Sequence, residues 1–259
     1  MNMIPEEILK ADDGLGKWSI VVAKRGSQAD GTATDMSDID LIAVCVPPKK
    51  YYLGLSQYGS DGSKEIQQFE NYDIVVYELR KFMRLLRGAN PNVLPLLFLE
   101  DYMYVKNSEA MRALVDHRDL FIAKNCLAPF MGMANGQLKR MSHWDNTRKL
   151  GEKRKKLVEQ FGLDSHNAAS LIKTLRQGIE LLRYGRMYLD RRGIDSQDII
   201  DIKQGKWSKE KIETEANSLF GVANEAAFKS SLPDNVDTDA INDLTVKLVE
   251  IAWKGRDER

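Results

Sequence analysis

Three short apolar runs in the first 80 residues limit the folds that this chain can adopt. The runs are WSIVVAKR at 18–25, DLIAVCV at 40–46 and YDIVVYEL at 72–79. Each is rich in β-branched and aromatic residues and has the length of a strand. The second run is apolar at nearly every position, which is typical of a strand covered on both faces. The pattern predicts a small sheet in the first third of the chain.

From about residue 108 the pattern changes to one helix after another. The clearest helical segment is 165–190, where the apolar residues lie close to one broad stripe. The segments 208–230 and 237–255 follow in the same manner. We therefore predict an α+β protein, with the small sheet in a first domain at 1–115. A helical domain is predicted at 116–259.

Two more helices are predicted between the third run and the domain boundary. Residues 79–88 have helical periodicity, and Gly88 is a suitable C-terminal cap. Residues 90–100 are predicted to begin a helix with Asn90 as N-cap and Pro91 at the first helical position. The segment 58–65 reads as a turn-rich loop.

Composition excludes several classes of protein without selecting a partner. The 38 basic residues equal the 38 acidic ones, so net charge predicts neither nucleic acid nor acidic substrate. Cys45 and Cys126 form no CxxC pair, which argues against a zinc site or a disulfide framework. The N-terminus has no secretory pattern, and no apolar run is long enough to span a bilayer. We expect a cytoplasmic protein with no membrane partner.

The stretch KRGSQADGTATDMSDIDLIAV at 24–44 contains the main candidate site residues. Asp38 and Asp40 are one residue apart at the start of an apolar run, so on a strand both would project to one face. Two carboxylates held close need a counter-charge, and Mg²⁺ prefers such oxygen ligands together with substrate phosphates. Gly26 and Ser27 follow the preceding strand, where backbone N–H groups and a hydroxyl can hold phosphate oxygens.

Each half of this stretch also has an ordinary structural interpretation. A Gly-Ser pair by itself is usually a turn. An SDID segment by itself is often a helix cap or a solvated strand end. The combination of strand, Gly-Ser, about ten residues, Asp-x-Asp and a second strand is much less common, and it favours the catalytic interpretation.

The pattern RGS…G…SDIDLIAV resembles the signature of the DNA polymerase beta-like nucleotidyltransferases. The match is closest to a branch of predicted nucleotidyltransferases found in bacteria and phages. The segment YDIVVYELRKFMRLLRGANPNVLPLLF at 72–98 also carries the resemblance, and the helical segment 165–187 carries it more loosely. Residues 190–259 contribute little to it.

The resemblance implies a fold, a metal site and a reaction. The fold is a small mixed sheet with flanking helices, here the catalytic domain at 1–115, with a helical domain behind it. The resemblance also implies that Asp38 and Asp40 bind Mg²⁺ or Mn²⁺ and that a later strand supplies a third catalytic and metal-binding carboxylate. Asp73 is the best candidate for that position, because it opens the third apolar run, with Glu65 and Glu70 as rivals. The substrate is then an NTP, from which an NMP passes to an acceptor hydroxyl while pyrophosphate leaves.

Further basic residues are candidates for holding the triphosphate. Arg25 precedes the Gly-Ser pair and is either a phosphate ligand or an ordinary charge at a strand end. Lys173 and Arg176 share a helix face, and His166 lies on a similar side. The resemblance implies a basic helix facing the cleft, which would give these residues a nucleotide role. The alternative is a solvated helix face.

The acceptor is left open by the sequence. The basic segment KRMSHWDNTRKLGEKRKK at 139–156 combines cations with His143 and Trp144, which suits nucleic acid, although such runs are more often solvated helix faces. It favours RNA slightly over a protein hydroxyl or a small molecule. The alternative to an enzyme is a non-catalytic nucleotide-binding or antitoxin-like module of the same fold. A P-loop phosphotransferase is excluded because the chain has no GxxxxGK[ST].

Overall fold

The structure is a computed structural model, and it describes residues 4–33, 37–142 and 158–254. Within these ranges one five-stranded sheet has the order β3-β4-β2-β1-β5. Strands β2 and β4 are parallel, and the other neighbouring strands are antiparallel. The strands are β1 Ser19–Arg25, β2 Ile39–Cys45, β3 Ser63–Ile66, β4 Tyr72–Glu78 and β5 Tyr104–Asn107. The predicted small mixed sheet is confirmed.

Helices account for most of the remaining described residues, which confirms the α+β class. The α-helices are α1 Glu6–Lys10, α2 Gly26–Asp30, α3 Leu79–Arg87, α4 Glu109–Asp116, α5 Leu127–Ser142, α6 Ser165–Tyr184, α7 Ser196–Lys203, α8 Lys209–Lys229 and α9 Thr238–Lys254. Short 3₁₀ segments lie at Lys49–Tyr51, Leu94–Phe98, Asp101–Met103, Arg118–Phe121 and Lys124–Cys126. No helix in the described ranges is long and apolar enough to cross a membrane.

The long periodic elements were predicted correctly, and the short ones were not. The three apolar runs form β1, β2 and β4, and the longest predicted helices form α6, α8 and α9. Helix α6 ends at Tyr184 because Gly185 takes a left-handed conformation, with φ at 63°, and its N–H bonds back to the Leu181 carbonyl. Two short edge strands were missed, since four residues carry little periodicity: β3, which lies partly inside the predicted loop, and β5.

The helix predicted at 90–100 is wrong. The Asn90 side chain accepts a hydrogen bond from the Asn92 N–H at 2.9 Å, which closes a turn instead of capping a helix. The chain then forms only the 3₁₀ segment Leu94–Phe98. Its leucines are buried in the core in spite of this irregular backbone, so the apolar pattern reflected burial and not helical periodicity.

The chain divides into two compact units. Unit 1 holds the sheet, residues 93–121 and α9, and unit 2 runs from Ile122 to Asn235 together with Ala89–Asn92. The predicted boundary at 115/116 lies near this division, but α9 groups with unit 1 because it packs on α3 and α4. The domain bounds 1–115 and 116–259 stay a prediction.

Each unit has its own apolar core. In unit 1, one sheet face buries alternate residues of the central strands, among them Val22, Leu41 and Ile74, against α1 and the ring of Tyr58. In unit 2, α6 lies at the centre, and Leu171 and Leu175 pack in a cluster that includes residues of α5 and α8. The opposite sheet face of unit 1 carries the candidate site.

Candidate active site

Three charged residues lie side by side on three neighbouring strands of unit 1. Arg25 of β1 pairs in register with Asp40 of β2, and Asp40 pairs with Asp73 of β4. Residues in register on adjacent strands point to the same face and are about 5 Å apart. The strand order β4-β2-β1 thus places two carboxylates next to each other, with an arginine beside them at the end of the sheet.

Glycine is required at position 26 by the approach of the chain to Asp40. Gly26 begins α2 with φ at 63°, a conformation that L residues rarely adopt. A Cβ atom at this position would lie only 2.2 Å from Oδ2 of Asp40. The Gly-Ser turn therefore packs directly on one of the predicted catalytic carboxylates, and the backbone of the turn borders the same site.

Arg25 makes one long contact with Asp73. Its Nη2 lies 3.4 Å from Oδ2 of Asp73, a long hydrogen bond between side chains that are 27% and 61% exposed. Its Nε is buried and has no hydrogen-bond partner among the described residues. An unsatisfied buried donor is unfavourable, so an anion bound here would satisfy it.

Asp38 is exposed and directly precedes β2, two residues before Asp40. The period of an extended chain gives it the same facing as Asp40. Within 4–33, 37–142 and 158–254, no group of three or more His, Cys, Asp or Glu residues is arranged to hold a metal ion. The carboxylates of Asp40 and Asp73 are in register, and carboxylate oxygens are the ligands that a hard divalent cation prefers. Among the described residues, Asp38 does not complete a closed cluster with them.

The two rival carboxylates are placed differently. Glu65 lies on edge strand β3 opposite Val75, is exposed, and accepts a hydrogen bond from Gln67 at 3.2 Å. Glu70 is exposed in the turn before β4. Of the three candidates, Asp73 is the one in register with Asp40, which is why we retain it for the third carboxylate.

One residue that supports the site was missed by the sequence analysis. Asp30 ends α2 and is only 4% exposed. Its Oδ1 accepts hydrogen bonds from the Thr32 backbone N–H at 3.1 Å and from the Thr32 hydroxyl at 2.5 Å. These bonds hold the turn that leads from the Gly-Ser segment toward Asp38. The Asp-Gly-Thr sequence is typical of such a turn and could have indicated it.

The predicted nucleotide ligands on α6 lie in unit 2. Arg176 Nη1 bonds Asp195 at 2.9 Å and Asp198 at 3.0 Å, and its Nη2 bonds Glu215 at 3.0 Å. Burial favours a lower pKa for Arg176, but these three carboxylates outweigh it and raise the pKa. Its described contacts are thus structural, and a nucleotide role for Arg176 stays a prediction.

Lys173 is half-buried and His166 is exposed on the same helix, and their nucleotide roles also stay predictions. Most of the basic segment 139–156 lies outside the described residues, including His143 and Trp144. Arg140, near its start, donates to the Asn167 side chain at 3.4 Å within unit 2. RNA contact by this segment therefore stays a prediction as well.

Comparison with known proteins identifies the family. The family described as "RNA repair pathway DNA polymerase beta family" (RlaP) matches residues 19–175, which include β1, the Gly-Ser turn, Asp40 and Asp73. The chain belongs to the RlaP family. The expected membership of the polymerase beta-like nucleotidyltransferases is confirmed.

Two relatives outline how far the resemblance extends. The uncharacterized protein YcgL of Bacillus subtilis (strain 168) is 25% identical to this RlaP-family chain over 136 residues, which are 52% of each protein. The chain thus matches about half the length of that curated relative. A crystal structure of a nucleotidyltransferase-like protein from Exiguobacterium sibiricum 255-15 aligns with 98% of this chain and 81% of its own. Its identity is 11% and its TM-score 0.30, too low to inform the placement of individual residues.

Proposed function

We propose that this chain is a metal-dependent nucleotidyltransferase that transfers an NMP from an NTP to a hydroxyl group of RNA. The observation that carries the proposal is the row of Arg25, Asp40 and Asp73 across three strands, with Gly26 against the Asp40 carboxylate. A carboxylate pair bordered by a glycine turn and an arginine offers binding groups for both a divalent cation and a phosphate chain.

In this proposal Asp40 and Asp73 hold Mg²⁺ or Mn²⁺, and Asp38 contributes from the segment before β2. When bound, such a cation neutralises phosphate charge and lowers the pKa of an attacking hydroxyl. An ionised carboxylate only accepts hydrogen bonds and carries negative charge, which suits it to bind a cation. The donor chemistry of the site is that of a hard-cation site and not of a zinc site, which would use His or Cys.

The neighbouring groups hold the nucleotide. The backbone N–H groups at Gly26 and Ser27 and the Ser27 hydroxyl donate to phosphate oxygens. The unsatisfied Nε of Arg25 donates to the same chain of phosphates. Asp73 orients the acceptor hydroxyl and accepts its proton. The acceptor oxygen forms a bond to the α-phosphorus as the bond from that phosphorus to pyrophosphate breaks, with the two oxygens in line.

The family description supports RNA as the acceptor, because it places the family in an RNA repair pathway. A protein hydroxyl and a small molecule are the alternatives that the experiment must separate. Lys173 and Arg176 are proposed to contribute to triphosphate binding from unit 2. A cytoplasmic location is part of this proposal.

The test is transfer of label from each of the four α-³²P-NTPs, with Mg²⁺ or Mn²⁺, into total RNA and total protein of the source cell. Wild type is compared with Asp40→Asn, Asp73→Asn and Glu65→Gln. We expect label in RNA that needs both aspartates and survives the Glu65 change. Label in protein instead would replace RNA as the acceptor. Label that survives the Asp40 change would refute the catalytic role of the carboxylate pair.

A non-catalytic nucleotide-binding module is the second candidate. It is favoured by the lack of a closed three-carboxylate cluster in the described ranges. Calorimetry separates the two functions: folded protein that binds NTP and transfers no label to RNA, protein or small molecules would support the module.

A further inference from the structure

Unit 1 contains a groove that the proposed chemistry does not use. It lies between α3 and α9 and has a volume of about 490 Å³, and its lining includes the rings of Tyr52 and Trp253, whose centres are 5.3 Å apart. Its floor is apolar: Met83, Ile241 and Val249 are each less than one-tenth exposed. The two helices present chemically different walls above this floor.

One wall is a row of arginines on α3. Arg80, Arg84 and Arg87 line the groove at helical spacings of four and three residues, so they share one face. Arg80 is held in place: its Nη2 donates to the Tyr51 carbonyl at 2.8 Å, and its guanidinium stacks 4.4 Å from the centre of the Tyr52 ring. Arg84 and Arg87 are exposed, and neither side chain forms a hydrogen bond or ion pair with a described residue, although the charge of Arg84 acts on Asp61. Two cations are thus available to a ligand.

The facing wall on α9 is mostly neutral. Thr238, Asn242 and Thr245 line it at the same four- and three-residue spacings and carry only hydroxyl and amide groups. Glu250 is the one carboxylate in the lining, and Arg80 is already paired with Glu78 at 3.3 Å, so Arg84 and Arg87 supply the excess of positive charge. The groove is therefore positively charged, although basic and acidic residues are equal in number over the whole chain.

We propose that this groove binds the sugar-phosphate backbone of single-stranded RNA. Arg84 and Arg87 contact phosphates, the hydroxyl and amide groups of α9 contact ribose, and the apolar floor packs against sugars and bases. Arginine with Thr and Asn is the usual set of backbone contacts in nucleic-acid complexes, and the 2′-hydroxyl gives the neutral wall a partner. An acidic protein helix would match the arginines but would leave the neutral polar wall without function.

The groove lies within reach of the candidate active site in the same unit. Asp73 lies near the start of β4 and Glu78 at its end, five residues or about 17 Å apart. Glu78 accepts a hydrogen bond from the Arg80 N–H at 2.9 Å and so joins the strand directly to the arginine wall. This inference rests on the proposed function, because it assigns a binding surface to the RNA acceptor.

Binding of a fluorescein-labelled, unstructured single-stranded RNA by fluorescence anisotropy tests the proposal at KCl concentrations from about 50 to 200 mM. The test variant is Arg84→Gln/Arg87→Gln. The control is Lys17→Gln/Lys247→Gln, which removes two exposed positive charges of unit 1 that do not line the groove. Circular dichroism verifies that all three proteins are folded.

The expected signature is a change in salt dependence. A single strand contributes a slope of about −0.7 per neutralised phosphate in log K against log salt, so losing two contacts should flatten the slope by about 1.4. We expect about a tenfold weaker affinity at low salt for the groove variant and a much smaller change for the control. Equal slopes in wild type and groove variant would overturn the proposal and point to an acidic protein segment instead.

The failures of the two proposals are distinguishable. RNA binding that needs the two arginines, without any label transfer, would retain the groove and reject the enzyme. Label transfer to RNA with unchanged salt slopes would retain the enzyme and reject the groove. The arginine variants keep Asp40 and Asp73 intact, so NTP binding measured on them should equal that of wild type.

Discussion

Two groups of arginine and carboxylate side chains differ in ways that separate ligand binding from structural support. In unit 1, Arg25 meets Asp73 at 3.4 Å, and Asp73 is 61% exposed. In unit 2, Arg191 is 1% exposed and bonds Glu180 and Asp195 at 2.7 Å each. The first group is open and incompletely paired. The second is closed, and its arginine is saturated by short bonds.

The physical reason is the energy of burying charge. A buried guanidinium must be fully paired, because water no longer solvates it. Asp195 serves both Arg191 and Arg176, and so ties α6 to the segment before α7. The strand-end group remains in contact with solvent, so incomplete pairing is tolerated there. Charge that the fold leaves uncompensated is charge that a ligand can use.

The largest effect is expected for Asp40→Asn. A bound metal ion contributes several kcal/mol to phosphoryl transfer, so the change should lower the rate of label transfer by about 10³-fold or more. Thermal unfolding should change little, since asparagine keeps the size of the side chain and one oxygen that accepts hydrogen bonds. Label-transfer kinetics and a melting curve on the same sample measure both. A large fall in melting temperature would show that the strand-end group is structural, like that of unit 2.

The opposite outcome is expected for Asp195→Ala in unit 2. Removal of one partner from a buried ion pair typically costs about 3–5 kcal/mol, because the remaining charge is left buried. Urea unfolding measures the loss. Asp234→Ala is the matched control, since its ion pair with Lys124 is on the surface, with Asp234 82% exposed, and its loss should have a much smaller effect. Equal effects for the two variants would contradict the distinction between closed and open groups.

Gly26→Ala should affect activity more than stability. The new Cβ would clash with the Asp40 carboxylate, and a left-handed backbone costs about 1 kcal/mol for alanine. We expect label transfer to fall by about 10²-fold, because small displacements of positioning groups have effects of that size. Gly193→Ala is a useful control: its φ is 74°, but nothing lies within 4 Å of its added Cβ. If both variants lost label transfer equally, the clash with Asp40 would not be the cause of the loss.

The smallest effect is a pH dependence that belongs to unit 2. Burial favours a higher pKa for Asp195, but the hydrogen bonds and charges of Arg191 and Arg176 outweigh it and hold the pKa below its usual value. Because the folded-state pKa lies below the unfolded-state pKa, the ionised carboxylate stabilises the folded protein above about pH 4. This stabilisation is lost as the pH falls through the folded-state pKa. Urea unfolding between about pH 6 and pH 3 should show this loss. The Asp195→Ala variant should show a shallower decline over the same range, and an identical decline would assign the dependence to other carboxylates.

Much of the fold could be predicted because the local signals were strong. The runs that became β1, β2 and β4 are apolar, β-rich and bounded by turn residues, and α6, α8 and α9 are long enough for helical periodicity to be clear. The short strands β3 and β5 and the turn at Asn90 lacked such signals. The position of α9 in unit 1 depends on its packing against α3 and α4, which no local pattern encodes.

The candidate site likewise combines features that the sequence predicted with features that only the structure shows. The sequence by itself determined the strand, the Gly-Ser turn and the pair of aspartates, because these are neighbours along the chain and their spacing expresses a local geometry. Only the tertiary structure decided that Asp73 and Arg25 lie in register with Asp40, on the two strands that flank it. It also decided that carboxylates surround Arg176 in unit 2. Strand order and burial bring together residues far apart in sequence, and the free energy of pairing their charges depends on that environment and not on residue type.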